Sequence, residues 1–376
     1  MNGFIHTFSL ETKISYDDFM KLKNTYTNMF WNSEILGHII PDYANQGLRI
    51  EINNRCNDEI RYDKEHHRKK VNLIFTLYKL LYPGEGMGKL TEKPDIVEAY
   101  KKIIDLLKDI AEKSGVDLWR CTKVKRVDVT HDVITPSEEY SREIIRIAKK
   151  VLLPYGYEFW EPSGVDKKAK DWDVENAVFF NNHNQEIEAK LYNKKQDKEV
   201  FEQLPEDVKD SGLIRFELTL KRNFLKRKQY IQDGVIEDRD LVRMLIAITE
   251  DSGQLLSDYM GDVLSNGEML SKRILIAYIR RKYKGKEKRI DKMLTYIKLR
   301  NEGAVGDVSK YGSLVRIRNV EKHFKKLNVS PIYTQKQCPY VPSFDKLFND
   351  LTPDLNFLRM AQTYNKKRGQ GYEYWV

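Results

Sequence analysis

Cysteine is scarce in this chain of 376 residues, and long hydrophobic runs do not occur. Its three cysteines (Cys56, Cys121 and Cys338) are odd in number and lack metal-type spacing. They are therefore interpreted as reduced thiols of a cytoplasmic protein. No apolar run approaches the roughly 18–20 residues of a membrane span, and the first residues lack a basic segment followed by an apolar one. Neither a membrane partner nor a secretory signal is expected.

Several common enzyme motifs are also missing. The glycines of residues 83–88 fit neither a P-loop nor a dinucleotide fingerprint, and no GK[ST] follows them. His66 and His67 lack the bulky residue that separates the two metal-binding histidines of many single-strand nucleases, so a solvated loop is predicted there. There is no serine elbow and no zinc-type cysteine pair. These absences disfavour nucleotide-dependent enzymes, serine hydrolases and cysteine-bound zinc proteins.

Positive charge is in excess. Sixty-five Lys and Arg residues against 56 Asp and Glu give a net charge of +9. Such an excess suits a polyanionic partner, because each phosphate contact releases counterions. Residues 272–292 carry ten Lys or Arg residues against two acids, interleaved with Tyr278 and Tyr283. The alternatives are a basic protein that has no such partner and, for the stretch 272–292, a solvated helix face.

The chain length favours two or three domains. Strand patterns at residues 47–52 and 71–80, and a helical pattern at 95–113, predict an α+β catalytic domain over residues 1–234: a mainly antiparallel sheet with helices on one face. Thr135 to Glu138 form a predicted capping box with proline in the first helical position.

After about residue 234 the composition changes. Helical patterns at 238–249, 271–283, 290–300 and 314–327 predict a mostly helical, basic domain over residues 235–376, with a polar and aromatic tail from residue 364. Two of these helices resemble a helix-turn-helix or winged-helix pair.

Three segments share one alternating design: residues 124–133 (VKRVDVTHDV), 187–195 (IEAKLYNKK) and 213–221 (LIRFELTLK). Side chains of a strand alternate between its two faces, so each segment puts charged or hydroxylated residues on one face and aliphatic ones on the other. If the three strands are neighbours, one sheet face gathers the following residues: Arg126, Asp128, Thr130, Asp132, Glu188, Lys190, Tyr192, Lys194, Arg215, Glu217, Thr219 and Lys221.

These residue types suit the cleavage of a phosphodiester. Carboxylates can hold Mg²⁺ or Mn²⁺, which neutralises charge on the phosphoryl oxygens. Asp128 and Glu217 are the best pair of metal ligands, with Asp132 as a third ligand or a supporting group. Tyr192 is the candidate nucleophile. Its ordinary pKa of about 10 requires a nearby cation to favour phenolate, which Lys194 or the metal could supply.

The same pattern has a plainer interpretation. Alternating strands with one charged face are often solvated sheet surfaces with cross-strand ion pairs. Arg126 and Arg215 could then simply hold the acids in place rather than contact phosphate. His131 is predicted to point to the opposite face, in a structural role.

Three motifs together resemble a known family. RVDVT (126–130), LYNKK (191–195) and GLIRFELTLK (212–221) are similar, in order and spacing, to motifs of the gene II-type replication initiators of filamentous phages. They resemble more distantly the Rep_trans initiators of rolling-circle plasmids and integrative elements. The similarity covers roughly residues 120–230.

The resemblance implies a rolling-circle initiator that nicks one strand of a double-strand origin, forms a 5′-phosphotyrosyl link and later rejoins the displaced strand. It puts the nucleophile at Tyr192, the assisting lysine at Lys194 and the acids at Asp128 and Glu217. The phage pattern has a histidine where this chain has Lys195. In the plasmid branch the tyrosine follows the Arg-x-Glu strand, which makes Tyr230 a competing nucleophile.

The expected partners are the double-strand origin and single-stranded DNA, with a host helicase and a second copy of the chain as further candidates. A relaxase for conjugative transfer is an alternative that shares the chemistry, and a non-catalytic DNA-binding regulator is another. The candidate DNA-binding residues are Arg126, Lys190, Lys195, Arg215, Lys221, Arg222, Lys272, Arg273, Arg280, Arg281 and Lys282.

Overall fold

The computed structural model describes residues 4–53, 69–82, 95–120, 122–151, 157–159, 176–182, 184, 186–196, 202, 209–232, 238–261, 267–302, 314–335 and 337–348. The histidine pair at 66–67, the glycine-rich segment at 83–88 and the tail from 364 lie outside these residues, as do Cys56 and Cys121. Among the described helices, none combines the length and apolarity that a membrane crossing needs.

Ten strands form one antiparallel sheet in the order β2-β3-β4-β5-β1-β6-β10-β9-β8-β7. The strands are β1 (Phe4–Ile14), β2 (Phe30–Asn32), β3 (Gly37–Ile40), β4 (Leu48–Asn53), β5 (Lys69–Thr76), β6 (Lys123–Thr135), β7 (Tyr157–Phe159), β8 (Ala177–Asn182), β9 (Ile187–Asn193) and β10 (Gly212–Lys221). The predicted α+β class with a mainly antiparallel sheet is confirmed.

The helices are α1 (Tyr16–Thr25), α2 (Leu77–Leu81), α3 (Asp95–Ser114), α4 (Glu138–Ala148), α5 (Arg222–Arg227), α6 (Asp238–Leu256), α7 (Lys272–Lys282), α8 (Glu287–Glu302), α9 (Leu314–Leu327) and α10 (Phe344–Phe348). A short pair of strands, β11 (Met269–Leu270) and β12 (Tyr340–Val341), lies among the last helices.

The three strands with alternating sequence are neighbours, with β10 between β6 and β9. Their apolar side chains are buried in a core that helices α4 and α6 share with the sheet. His131 is paired with Phe216 and buried on this apolar face, as predicted. The opposite face receives the polar side chains of all three strands, because the register aligns polar with polar positions: Glu217 lies opposite Lys190, and Arg215 lies opposite both Asp132 and Tyr192.

Two local predictions are wrong. The strand predicted to reach residue 80 ends at Thr76, and α2 follows it. Leu77, Leu80 and Leu81 are buried at helical spacing, and a short apolar run does not by itself distinguish a strand from a helix. The capping box does not form either: the N-cap of α4 is Ser137, so proline precedes the helix instead of opening it.

The second half of the chain divides between two hydrophobic clusters. Helix α6 packs on the sheet and shares its core, together with α10. Helices α7, α8 and α9 form a smaller cluster with Leu270 and Tyr340. The domain boundary near residue 234 stays a prediction. The packing joins the first helix beyond it to the sheet, because the apolar face of α6 (Leu241, Met244, Leu245 and Ile248) is buried there.

The start of β10 leaves no room for a side chain. A Cβ atom at Gly212 would collide with the hydroxyl groups of Thr135 and Ser141 and with the backbone oxygen of Ser137. We expect Gly212→Ala to lower the free energy of unfolding by about 1–3 kcal/mol, measured by urea denaturation, because overpacking forces these groups apart. Gly115→Asn is the control, since Gly115 has a φ of 68° and open space around it, and asparagine tolerates that conformation. An equal loss in both variants would contradict the steric explanation.

Candidate active site

The polar face of β6, β9 and β10 carries a compact group of ionisable side chains, joined by two residues of β1. We call it the acid–tyrosine cluster, and its members are His6, Thr7, Asp128, Asp132, Lys190, Tyr192, Lys194, Arg215 and Glu217. Most of these side chains are buried or half-buried. A solvated sheet surface would instead expose them, so the plainer interpretation of the pattern fits poorly with their burial.

Glu217 lies at the centre of the cluster. Lys190 Nζ donates a hydrogen bond to its Oε1 at 2.7 Å, and the hydroxyl group of Tyr192 donates to its Oε2 at 3.1 Å. Burial by itself would raise the pKa of Glu217, but the charge and hydrogen bond of Lys190, together with the charge of Arg215, lower it to about 2. The carboxylate is therefore ionised at neutral pH, and it binds both a cation and the candidate nucleophile.

Asp128 has one engaged and one unengaged oxygen. Thr7 Oγ1 donates a hydrogen bond to Oδ2, and the guanidinium group of Arg126 lies 3.5 Å from the same oxygen. Oδ1 is buried and has no hydrogen-bond partner among the residues that the structure describes. Burial raises the pKa of Asp128, with Arg126 acting against it and the charge of Glu217 adding to it. An unengaged buried carboxylate oxygen is costly unless something else binds it.

Asp132 is bound differently. Both of its oxygens accept hydrogen bonds from Arg215, from Nε and Nη2, each at 2.6 Å. This is a two-pronged ion pair of the strong, charge-assisted kind, and Arg215 is only 3% exposed. Because both oxygens are engaged, Asp132 is better placed to hold Arg215 than to serve as the third metal ligand that the sequence suggested.

Tyr192 projects from β9 towards Glu217. Burial raises the pKa of Tyr192 well above its ordinary value, and the neighbouring charge of Glu217 adds to the effect. The phenol is thus protonated in the arrangement described. Additional positive charge beside the hydroxyl group is needed before it can act as a nucleophile.

Lys194 lies close by, although the strand alternation does not put it there. Strand β9 ends at Asn193, and Lys194 begins a turn of 3₁₀ helix. Its Nζ atom lies 5.9 Å from the centroid of the Tyr192 ring, and its charge contributes to lowering the pKa of His6. The predicted neighbourhood of Lys194 and Tyr192 is therefore present, through a turn instead of a strand.

His6 and Thr7 of β1 are site residues that the sequence analysis missed, and His6 is the ionisable one. In the pairing of β1 with β6, Ile5 lies opposite Val129 and Thr7 opposite Asp128, which leaves His6 as the extra residue of a β-bulge. A bulge lets consecutive side chains escape strict alternation. Burial, followed by the charge of Arg215, lowers the pKa of His6 to about 3. Its imidazole is neutral at pH 7, so one of its ring nitrogens can accept a hydrogen bond. The only hint in the sequence is a polar His-Thr pair between aromatic residues.

Tyr230, the competing nucleophile, belongs to other surroundings. It follows α5, and its hydroxyl group donates a hydrogen bond to Asp251 of α6 at 2.5 Å. Burial and this carboxylate raise the pKa of Tyr230. Its neighbours are the helices that cover the apolar face of the sheet, so the structure brings Tyr192, and not Tyr230, together with the acids.

The candidate DNA-binding residues divide into two groups. Those next to the sheet bind protein groups: Lys195 donates to the backbone oxygens of Lys209 and Ser211, Lys221 pairs with Glu188 at 2.5 Å, and Arg222 donates to the backbone oxygen of Val124 at 2.9 Å. The residues of α7 are exposed: Lys272, Arg273, Arg280, Arg281 and Lys282.

The acid–tyrosine cluster offers donors for a hard divalent cation. Across the described residues, no group of three or more His, Cys, Asp or Glu side chains is already arranged as a complete metal shell. The unengaged oxygen of Asp128 nevertheless suits Mg²⁺ or Mn²⁺, which take carboxylate oxygens and keep several waters. Both oxygens of Glu217 are engaged, by Lys190 and Tyr192, so Glu217 would bind a metal only in exchange for one of these partners. The charges of Glu217 and Asp128 both act on the ammonium group of Lys190 and raise its pKa despite its burial, so this face already attracts one cation.

No protein-family model matches the sequence, and no curated protein matches it. The chemistry of the cluster therefore carries the functional proposal.

The low pKa of His6 predicts a dependence of stability on pH. The unfolded chain takes up this proton near pH 6.5, whereas the folded protein does so only near pH 3, so folding loses stability as the pH falls below about 6.5. Between pH 7.5 and 5.5, wild type should lose about 1 kcal/mol more unfolding free energy than His6→Asn. Urea titrations with a chelator measure this difference. Identical losses of unfolding free energy in wild type and His6→Asn would contradict the low pKa of His6. The titration of Glu217 does not affect this comparison, because it changes the stability only between pH 4.5, the ordinary pKa of a glutamate, and about pH 2.

Proposed function

We propose that the protein is a DNA-nicking enzyme and strand transferase that initiates rolling-circle replication, with Tyr192 as nucleophile. The observation that carries this proposal is the hydrogen bond from the Tyr192 hydroxyl group to Glu217, an ionised carboxylate held by Lys190 within a buried cluster. A nucleophile, a proton acceptor and several cations are thus present on one face. The resemblance of the three strand motifs to gene II-type initiators supports the same reaction.

In this reaction Tyr192 Oη attacks the phosphorus in line with the 3′-oxygen. The bond from phosphorus to the tyrosine oxygen forms while the bond to the 3′-oxygen breaks, which leaves a 5′-phosphotyrosyl link and a free 3′-hydroxyl group. Positive charge beside the hydroxyl group lowers the pKa of Tyr192 during attack, and the phenolic proton passes to Glu217 Oε2, which accepts its hydrogen bond. The leaving 3′-oxygen takes one proton from solvent, and Glu217 returns its proton to solvent. Rejoining is the reverse attack, by a 3′-hydroxyl group on the phosphotyrosine, so the phosphodiester energy is conserved.

The neighbouring cations complete the site. Charge builds up on the phosphoryl oxygens during attack, and preorganised positive groups in a poorly solvated site stabilise it strongly. Lys190 and Lys194 are the two lysines of the cluster, and Arg215 is fixed by Asp132. A divalent metal held by Asp128 and Glu217 would supply additional charge for the phosphate and favour the phenolate form of Tyr192. DNA affinity would come chiefly from the exposed basic residues of α7.

A non-catalytic DNA-binding regulator is the competing proposal. The two ion pairs of the cluster, from Lys190 to Glu217 and from Arg215 to Asp132, satisfy much of its charge internally, as a purely structural network would. In that case Tyr192 would be a hydrogen-bond donor to Glu217 and nothing more.

Removing one hydroxyl group distinguishes these proposals. Tyr192→Phe should lower nicking of supercoiled DNA carrying the replicon's own origin by more than about 10³-fold, because no other group replaces a lost nucleophile. DNA binding should be retained. Protease digestion of the nicked product should reveal a peptide on the 5′ end with wild type only.

Tyr230→Phe is the matched control, since it removes the same hydroxyl group from a different hydrogen bond to a carboxylate. It should nick and link normally. Loss of activity in this variant alone would transfer the nucleophile to Tyr230. Unchanged behaviour of both variants, or a wild type that never nicks, would favour the regulator.

Asp128 should govern metal affinity. Asp128→Asn removes the charge next to the unengaged oxygen, and we expect Mn²⁺ affinity to fall by about tenfold or more, because hard cations depend on carboxylate charge. Mn²⁺ binding is measured directly by electron paramagnetic resonance, independently of nicking. The control is Asp105→Asn, an exposed carboxylate on α3, which should leave the affinity unchanged. Equal affinities in wild type and Asp128→Asn would place the metal elsewhere.

A further inference from the structure

A cavity of about 860 Å³ opens at the start of α7, away from the acid–tyrosine cluster. One wall is the first half of this helix, and the other is the segment Tyr333, Thr334 and Gln335. We call it the α7 pocket. None of the residues of the acid–tyrosine cluster lines it, although three lining residues (Lys272, Arg273 and Arg280) are also candidate DNA-binding residues.

Two buried hydroxyl groups line this pocket without partners. Ser271 is 4% exposed and Thr334 is 2% exposed, and both contribute to the pocket wall. Within the described part of the chain, neither Ser271 Oγ nor Thr334 Oγ1 has a hydrogen-bond partner. Buried hydroxyl groups are nearly always hydrogen-bonded in folded proteins, so these two side chains have hydrogen-bonding capacity that a polar ligand in the pocket could use.

The same place is electrostatically suited to an anion. Ser271 is the N-cap of α7, and its side chain makes no capping hydrogen bond to the backbone N–H groups of the first turn. These groups and the helix dipole favour negative charge. Lys272, Arg273 and Arg280 line the pocket, and Lys272 lies over the ring of Tyr333, with Nζ 5.5 Å from the centroid.

The remaining wall is apolar and larger than a phosphate ion needs. Ile276 and Ala277 of α7 and the ring of Tyr333 line it. Aromatic and aliphatic walls next to cationic groups are the surroundings in which nucleobases stack while their phosphates are neutralised.

The second wall is held firmly. Arg146 Nη2 donates a hydrogen bond to the backbone oxygen of Tyr333 at 2.7 Å, and the backbone N–H of Gln335 donates to Glu143 Oε1 at 2.7 Å. Arg146 and Glu143 are paired with each other on α4. The pocket is therefore built before a ligand arrives, which reduces the entropic cost of binding.

We propose that the α7 pocket binds a nucleotide, with its phosphate at Ser271, Thr334 and the first turn of α7 and its base against Ile276, Ala277 and Tyr333. The nucleotide is either free or one unit of a single DNA strand, because both present the same phosphate and base.

Fluorescence anisotropy of the full chain tests this with two probes, a methylanthraniloyl-labelled dATP and a short fluorescein-labelled oligothymidylate, with inorganic phosphate as competitor. Lys272→Gln should weaken binding by about tenfold, as should the double variant Ser271→Ala, Thr334→Val, because each removes a contact to a charged phosphate. Lys282→Gln, on α7 but outside the pocket, reports the contribution of the general basic surface. Lys298→Gln is the control: an exposed lysine on α8, outside the pocket and not among the candidate DNA-binding residues. It should weaken binding by less than about twofold.

Each outcome is decisive. The expected pattern with dATP supports a free nucleotide, and the same pattern with the oligothymidylate alone supports a unit of a DNA strand. Equal losses in Lys272→Gln and Lys282→Gln, with no effect of the hydroxyl variants, would overturn the proposal in favour of a diffuse basic surface. Absence of binding to both probes would overturn it as well. Lys272 is exposed, so its variant remains informative even if the double variant fails to fold.

Discussion

The ion pair between Lys190 and Glu217 is the interaction on which the candidate site depends. A buried carboxylate is stable only if it is paired and its lone pairs are satisfied. Lys190 binds one oxygen of Glu217 and Tyr192 the other, so the ion pair also fixes where the phenol points. The cross-strand register positions all three, because Glu217 lies opposite Lys190 on the neighbouring strand. The arrangement of these three side chains on one face is thus a consequence of strand pairing.

Much of this site could be predicted from the sequence, and the part that could not has physical causes. The period of two along a strand was enough to group Asp128, Tyr192 and Glu217 on one face, and the adjacency of their strands is what the structure adds. His6 was missed because a β-bulge breaks that period, and a bulge depends on the partner strand. The helix at Leu77–Leu81 was missed because its apolar run is too short to reveal its period.

The electrostatics of the cluster also lay beyond the sequence pattern. Asp128 and Asp132 lie four residues apart on the same face of β6, and the sequence pattern alone offers Asp132 either as a further metal ligand or as a supporting group. The structure separates them, because Arg215 engages both oxygens of Asp132 while one oxygen of Asp128 has no partner among the described residues. Only three-dimensional neighbours could distinguish the acid that holds an arginine from the acid that remains open to a cation.

Helix α4 joins the two halves of the molecule. One side of it packs on the sheet, while Arg146 and Lys150 donate hydrogen bonds to backbone oxygens of Tyr333 and Asn301, the latter at 2.6 Å. The basic helices are thereby connected by hydrogen bonds to the helix that packs on the sheet. In the proposed enzyme, which recognises DNA with α7 and cuts it at Tyr192, these hydrogen bonds fix the distance between the recognition helix and the cleavage site. That distance would set the number of nucleotides between the recognised sequence and the nick, and origins with a spacer of another length would be nicked less efficiently.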